Sequence, residues 1–181
     1  MKQDLRKQLL ARRRAISAEE RAQHDAALND RVLAWWDRHP VASMGVYWPI
    51  RGEPDLQAAY RELARRGVQL ALPVVINSSA PLQFVKWAPG DVLVVGAMQV
   101  PVPAPPHKPI RPEALLIPCA GFNPQRMRLG YGGGFYDRTL AVTPRPMAIG
   151  IAYHCLSAAF VADPHDIALD AIITEDACLP K

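Results

Sequence analysis

A chain of 181 residues, half of them apolar, carries enough hydrophobic side chain for one buried core, and its length fits a single domain over residues 1–181. No apolar run approaches the roughly 18 residues of a membrane span, and no signal-peptide core follows the basic N-terminus, so the cytosol is expected and a membrane partner is not. The formal charge of +4 is concentrated: residues 1–21 hold seven Lys/Arg against three Asp/Glu, and the rest of the chain is balanced. Three widely spaced cysteines, Cys119, Cys155 and Cys178, argue against a disulfide framework or a cysteine-based zinc site and suit packing roles.

Near the start, Leu5, Leu9 and Ile16 with intervening alanines form the apolar stripe of a helix. Lys2, Arg6 and Arg13 recur at i, i+4 and i+11, close to one face of it. Such a face suits a solvated surface, a nucleic-acid patch or one wall of an anion site, and for a basic run alone solvated surface is the usual outcome. Ser17-Ala18-Glu19-Glu20 is a capping box that starts a second helix, with Leu28, Val32 and Trp35 on its apolar face and His39-Pro40 at its end. Residues 41–48, Val41 to Trp48, read as a buried strand stopped by Pro49.

The turn Pro49-Ile-Arg-Gly-Glu-Pro54 follows, at the kind of strand end where α/β sheets bind ligands. On spacing alone Glu53 is a charge at the N-terminus of the next helix, over 55–66, which has Leu56, Ala59, Tyr60 and Leu63 on one face and Gly67 as its C-cap. Residues 68–75 and 82–87 read as strands joined by the turn Asn77-Ser-Ser-Ala-Pro81, and 90–95 as a further short element. Six prolines within 101–112 predict an extended surface connection. Apolar runs at 114–119, 147–153 and 170–174 complete the set. Strands alternating with helices predict an α/β protein, a three-layer α/β/α sandwich with a mostly parallel, Rossmann-like sheet. His154 and His165 lack metal-ligand spacing and read as structural.

The chemistry concentrates in Arg126 to Arg138. An apolar run, then four glycines in five positions, then Phe-Tyr-Asp-Arg-Thr-Leu is the order of a strand, an anion-cradling loop and a helix start. Glycine reaches positive φ without steric cost and lets backbone N–H groups approach phosphoryl oxygens. Arg126 and Arg128 precede the glycines and Arg138 follows, each with a planar fork that matches phosphate. Asp137 reads either as a salt-bridge partner or as a ligand for the Mg²⁺ that accompanies a nucleoside triphosphate. The stretch fits neither the P-loop nor the dinucleotide fingerprint.

With its flanks, Arg128-Leu129-Gly130-Tyr131-Gly132-Gly133-Gly134-Phe135-Tyr136-Asp137 resembles the signature Arg-Leu-Gly-x-Gly-x-Gly-[Tyr/Phe]-Tyr-Asp of the 5-formyltetrahydrofolate cyclo-ligases, also called methenyltetrahydrofolate synthetases. The resemblance runs from Lys2 to about Thr174 and is strongest over 117–138. It implies an enzyme, a carbon–nitrogen ligase that converts 5-formyltetrahydrofolate to 5,10-methenyltetrahydrofolate with ATP and Mg²⁺, releasing ADP and phosphate. ATP contacts are implied for Lys2, Arg6, Arg128, Leu129, Gly130, Tyr131, Gly132, Gly133, Gly134, Phe135 and Tyr136. Folate contacts are implied for Trp48, Glu53, Tyr131, Gly132, Gly133, Gly134 and Phe135, where a carboxylate at Glu53 suits the adjacent pterin donors. Asp137 and Asp166 are the implied Mg²⁺ ligands, and Arg128, Tyr136 and Asp137 the implied catalytic groups.

The chain departs from the family pattern where Val102-Pro103-Ala104-Pro105 lacks an acidic residue and where Asn123 replaces Asp. A monomer is expected. Two other classes stand beside this reading: a non-catalytic homologue that binds folate or nucleotide, and a polyanion or RNA binder using the basic N-terminal helix. The second is disfavoured because that helix has no interleaved exposed aromatics and the overall charge is modest.

Overall fold

The computed structural model describes residues 2–180. In chain order the elements are α1 (Lys2–Ala15), α2 (Ala18–Arg38), β1 (Ser43–Gly45), α3 (Gln57–Arg65), β2 (Gln69–Val74), β3 (Gln83–Lys86), β4 (Leu93–Val95), β5 (Pro101–Pro103), β6 (Pro109–Ile110), β7 (Ala114–Pro118), β8 (Gly121–Phe122), β9 (Arg128–Leu129), α4 (Phe135–Leu140), β10 (Met147–Ile151), β11 (Ala171–Ile173) and β12 (Cys178–Leu179). Among the described residues no helix is long and apolar enough to cross a membrane.

The main sheet has the order β12-β11-β10-β7-β1-β2-β3-β6. Its five central strands, β11, β10, β7, β1 and β2, are parallel, and β12, β3 and β6 add antiparallel pairs at the edges. This is the α/β, Rossmann-like sandwich that the alternation of elements predicts. Parallel strands covered on both faces read as near-continuous apolar runs, and all five residues of β7 are buried. From β1 the chain moves to β2 on one side and later returns to place β7 on the other, so the strand order reverses at β1 and β7. Ligands of open α/β sheets bind beyond the C-terminal ends of strands at such a reversal.

Local signals in the sequence operate as expected. The Ser17 hydroxyl accepts from the Glu20 N–H at 3.1 Å, and α2 stops at Arg38, where the His39 N–H caps the carbonyls of Trp35 and Trp36. Leu28, Val32 and Trp35 of α2 and Ala59, Tyr60 and Leu63 of α3 enter the core. Elsewhere the structure differs. The paired part of the 41–48 strand is only Ser43–Gly45, because Pro49 and the turn after it pull the chain off the sheet. The proline-rich connection is not a plain loop: β5 pairs with β4 as a ribbon, and β6 pairs with β3 at the sheet edge. Both are positions where a missing N–H is tolerated. Cys119 packs in the core, but Cys155 is exposed and has no packing role.

Candidate active site

A cavity of about 640 Å³ opens beyond β1 and β7, bounded by the first turns of α1, the 48–53 turn, the glycine loop, the start of α4 and the 163–166 segment. Met98, Val100 and Val102, carried by the β4–β5 ribbon, complete an apolar wall.

The glycine loop leaves β9 and enters α4 through Gly132 at φ 98° and Gly134 at φ 64°. Both values lie in the left-handed region open to glycine. A Cβ on Gly133 would sit 2.8 Å from the Phe135 ring, so this position is closed to larger residues. Arg6 Nε donates to the Gly130 carbonyl at 2.6 Å and ties α1 to the loop. On the far side Arg138 donates to the carbonyls of Gly133, Ala80 and Ser78. The three arginines of the stretch therefore divide. Arg126 donates to the Leu169 carbonyl and Arg138 braces the loop from outside, while Arg128 alone lines the cavity. Expecting all three forks to meet phosphate overlooked how many carbonyls a turning loop leaves without a partner.

Arg128 is buried, pairs with Asp137 at 2.9 Å and lies against the Tyr136 ring. Burial pushes the Tyr136 phenol well above its ordinary value. Lys2 Nζ sits between Asp163 at 2.7 Å and Asp166 at 2.8 Å. Burial opposes charge on Lys2, but the two ion pairs outweigh it and raise its pKa. At Asp166 burial also opposes the charge, but Lys2, the Asp163 N–H and Arg128 together outweigh it and lower its pKa. The backbone N–H of Ile167 donates to Asp137 Oδ1 at 3.3 Å, which makes Asp137 and Asp166 neighbours. Two carboxylates beside a glycine loop and basic side chains fit Mg²⁺, a cation commonly held by one or two carboxylates together with substrate phosphates. Among the described residues no group of three or more His, Cys, Asp or Glu offers an all-protein cage.

Glu53 is only 5% exposed. Its Oε1 accepts from the Tyr131 hydroxyl at 2.6 Å and its Oε2 from the Ile50 N–H at 2.9 Å. Burial raises its pKa, against the pull of those donors and of Arg13 and Arg51. It is not the helix-end charge that spacing suggests: α3 begins four residues later, with Leu56 at its N-cap, and the carboxylate turns into the cavity. The turn is held from behind, where Tyr47 donates to the Pro54 carbonyl and Tyr60 to that of Tyr47. Trp48 lies edge-on to Trp87, 6.2 Å between ring centres, and offers the cavity a flat apolar wall.

All the residues singled out as ATP, folate and metal contacts thus line one cavity. Sequence reasoning missed Asp163 and the apolar ribbon, for which no local pattern exists, and misplaced Arg13, which is buried. The departures fall elsewhere. Asn123 accepts from the N–H groups of Gln125 and Met127 and donates to the Phe160 carbonyl, shaping the turn that leads to Arg128. The last bond needs a donor that an ionised Asp lacks. Neither Asn123 nor Ala104 lines the cavity.

Known proteins share the sequence and the fold of this chain. The chain is 31% identical to a 5-formyltetrahydrofolate cyclo-ligase of Mycoplasma pneumoniae, covering 97% of this chain and 99% of that one, and 29% identical to one of Escherichia coli, covering 90% and 94%. Solved structures superpose well. A 5,10-methenyltetrahydrofolate synthetase from Mycoplasma pneumoniae gives a TM-score of 0.81 at 29% identity over 96% of this chain and 98% of that one. One from Aquifex aeolicus gives 0.84 at 26% identity over 98% and 91%. The sequence model of the 5-formyltetrahydrofolate cyclo-ligase family matches residues 1–175, and the chain belongs to that family of enzymes.

Proposed function

We propose that this protein catalyses the ATP- and Mg²⁺-dependent cyclisation of 5-formyltetrahydrofolate to 5,10-methenyltetrahydrofolate. The observation that carries the proposal is the convergence of two sets of groups in one cavity, a buried carboxylate with a tryptophan, and a glycine loop with Lys2, Arg6, Arg128, Asp137 and Asp166, joined where the loop's Tyr131 donates to Glu53. A flat pterin suits the first set and a polyphosphate the second, and the reaction requires the formyl group to meet the γ-phosphorus between them.

The formyl oxygen attacks that phosphorus as the bond to ADP breaks, and the N5 lone pair moves into a C=N bond to give an iminium phosphate. N10 then attacks the formyl carbon and loses its proton. The C–O bond breaks, phosphate departs, and the amidinium of the five-membered ring remains. No protein nucleophile is needed. The loop N–H groups, Arg6 and Lys2 orient the phosphates, and Arg128 stabilises charge as it develops on the transferred group. Mg²⁺, when bound through Asp137 and Asp166, supplies charge neutralisation at the phosphate oxygens. Burial keeps the proton on Tyr136, so this cavity residue meets the substrates as a neutral phenol.

The cavity reading is favoured over the polyanion reading by Lys2 and Arg6, which line the cavity, and by Arg13, which is buried, although Lys7, Arg12 and Arg14 stay exposed. The proposal is tested by following methenyltetrahydrofolate absorbance with and without ATP. Product formation that requires ATP and Mg²⁺ is expected; folate binding without turnover would identify a non-catalytic homologue.

A further inference from the structure

Arg13 shares α1 with Lys2 and Arg6, yet its side chain is 0% exposed. Its Nη2 donates to the Arg51 carbonyl at 3.0 Å, and its guanidinium carbon lies 5.7 Å from the centre of the Tyr131 ring. Nε and Nη1 have no partner in hydrogen-bond geometry. The carbonyl it holds belongs to a turn in left-handed conformations, Arg51 at φ 52° and Gly52 at φ 77°, and this turn presents Glu53. Tyr131 is the residue that donates to Glu53 Oε1. Arg13 thus contacts both supports of the Glu53 carboxylate, the turn behind it and the phenol in front. A buried guanidinium with idle donors costs stability relative to an apolar chain of similar length. Local rules are broken in this way mostly at functional sites.

We propose that Arg13 is a positioning residue for folate recognition, fixing the 51–53 turn and the Tyr131 ring so that Glu53 meets the pterin donors. The inference rests on reading Glu53 as the pterin acceptor. Its charge matters as well as its shape. Arg51 is the other cation facing Glu53. Tyr47 and Tyr60 face it from behind, Tyr131 from the glycine loop and Tyr136 from α4, and burial pushes all four phenols up. Burial also pushes the Cys119 thiol up to about 12. All five stay neutral at mildly acidic pH, so Glu53 is the group in this cluster that titrates there, and removing Arg13 moves its protonation to higher pH.

The test measures Kd for 5-formyltetrahydrofolate across pH in the absence of ATP, for the parent, Arg13→Met, Arg13→Lys, Glu53→Gln and the Arg13→Met/Glu53→Gln double variant. Arg13→Met is expected to fold with an undiminished Tm, to weaken folate binding about tenfold with ATP affinity unchanged, and to move the acid limb of folate binding to higher pH. Arg13→Lys keeps the charge but not the fork, so its acid limb stays in place while its folate Kd remains raised about threefold. On the Glu53→Gln background Arg13→Met should add less than about twofold, because both changes remove one interaction. Parental folate binding by Glu53→Gln would overturn the reading of Glu53 and the inference with it. Loss in Glu53→Gln, together with a parental Kd and acid limb in Arg13→Met or with two losses that multiply fully, overturns the Arg13 role alone. If Arg13→Met does not fold, Arg13→Lys decides: a raised folate Kd with unchanged ATP affinity supports positioning, and any other pattern overturns it.

Discussion

In the proposed reaction Glu53 separates folate from nucleotide recognition, because it is a buried carboxylate in the cavity that the glycine loop and the basic side chains of α1 also line. Glu53→Gln keeps the size but replaces an acceptor by a donor, so folate binding should weaken by about 1.5–3 kcal/mol, a tenfold to hundredfold rise in Kd. ATP affinity, measured by calorimetry without folate, should be unchanged. The same residue sets a pH signature in stability. Its folded pKa is raised above the ordinary 4.5, so the folded protein holds the proton more tightly than the unfolded chain. The buried charge therefore costs stability as pH rises above the ordinary carboxyl range. Thermal melts should show Glu53→Gln gaining on the parent near neutral pH and losing that advantage near about pH 4. On the proposed role of Asp137 at the phosphates, Asp137→Asn should abolish turnover. It also removes the charged partner of the buried Arg128, so a Tm lower by a few degrees is expected, with the circular dichroism spectrum retained. An active, well-folded Asp137→Asn would remove Asp137 from the chemistry. The glycines, Arg128 and Asp137 were legible in the sequence because one motif holds them, whereas Glu53 was named only through the family resemblance, spacing alone having made it a helix-end charge. Arg13 was not legible, because helical periodicity fixes the face of a residue but not what packs over it.

On α1 the residues divide by direction: Lys2 and Arg6 line the cavity, and Arg12 and Arg14 are exposed. Replacing Lys2 and Arg6 by Ala should weaken ATP binding at least about tenfold, whereas the same change at Arg12 and Arg14 should cost less than about twofold. Equal, small effects from both pairs would return the basic run to solvated surface. Leu9 docks this helix. It is fully buried, and a Cβ on Gly121 of β8 would strike its side chain. Leu9→Ala should therefore cost about 2–5 kcal/mol in denaturant unfolding and loosen ATP binding along with the fold. At this scale the sequence was most readable where a helix carries its own punctuation, as with Ser17 and His39. It was least readable in 101–112, because prolines exclude central strands but do not say which edge an extended segment will join.

Across the whole molecule, the parallel centre of the sheet and its reversal at β1 and β7 explain why distant segments meet: the turn after β1, the loop after β9 and the start of α1 converge beyond one set of strand ends. Alternation of apolar runs with helices foretold the layers, but strand order depends on long-range pairing that no local pattern records. The proposed reaction requires that this convergence bring the formyl group of one substrate against the terminal phosphate of the other. The most direct measurement uses 5-formyltetrahydrofolate labelled with ¹⁸O in the formyl group and mass analysis of the phosphate released. One ¹⁸O should appear in inorganic phosphate for each methenyltetrahydrofolate formed. Unlabelled phosphate formed in step with product would contradict phosphorylation of the formyl oxygen, and with it this reading of the cavity.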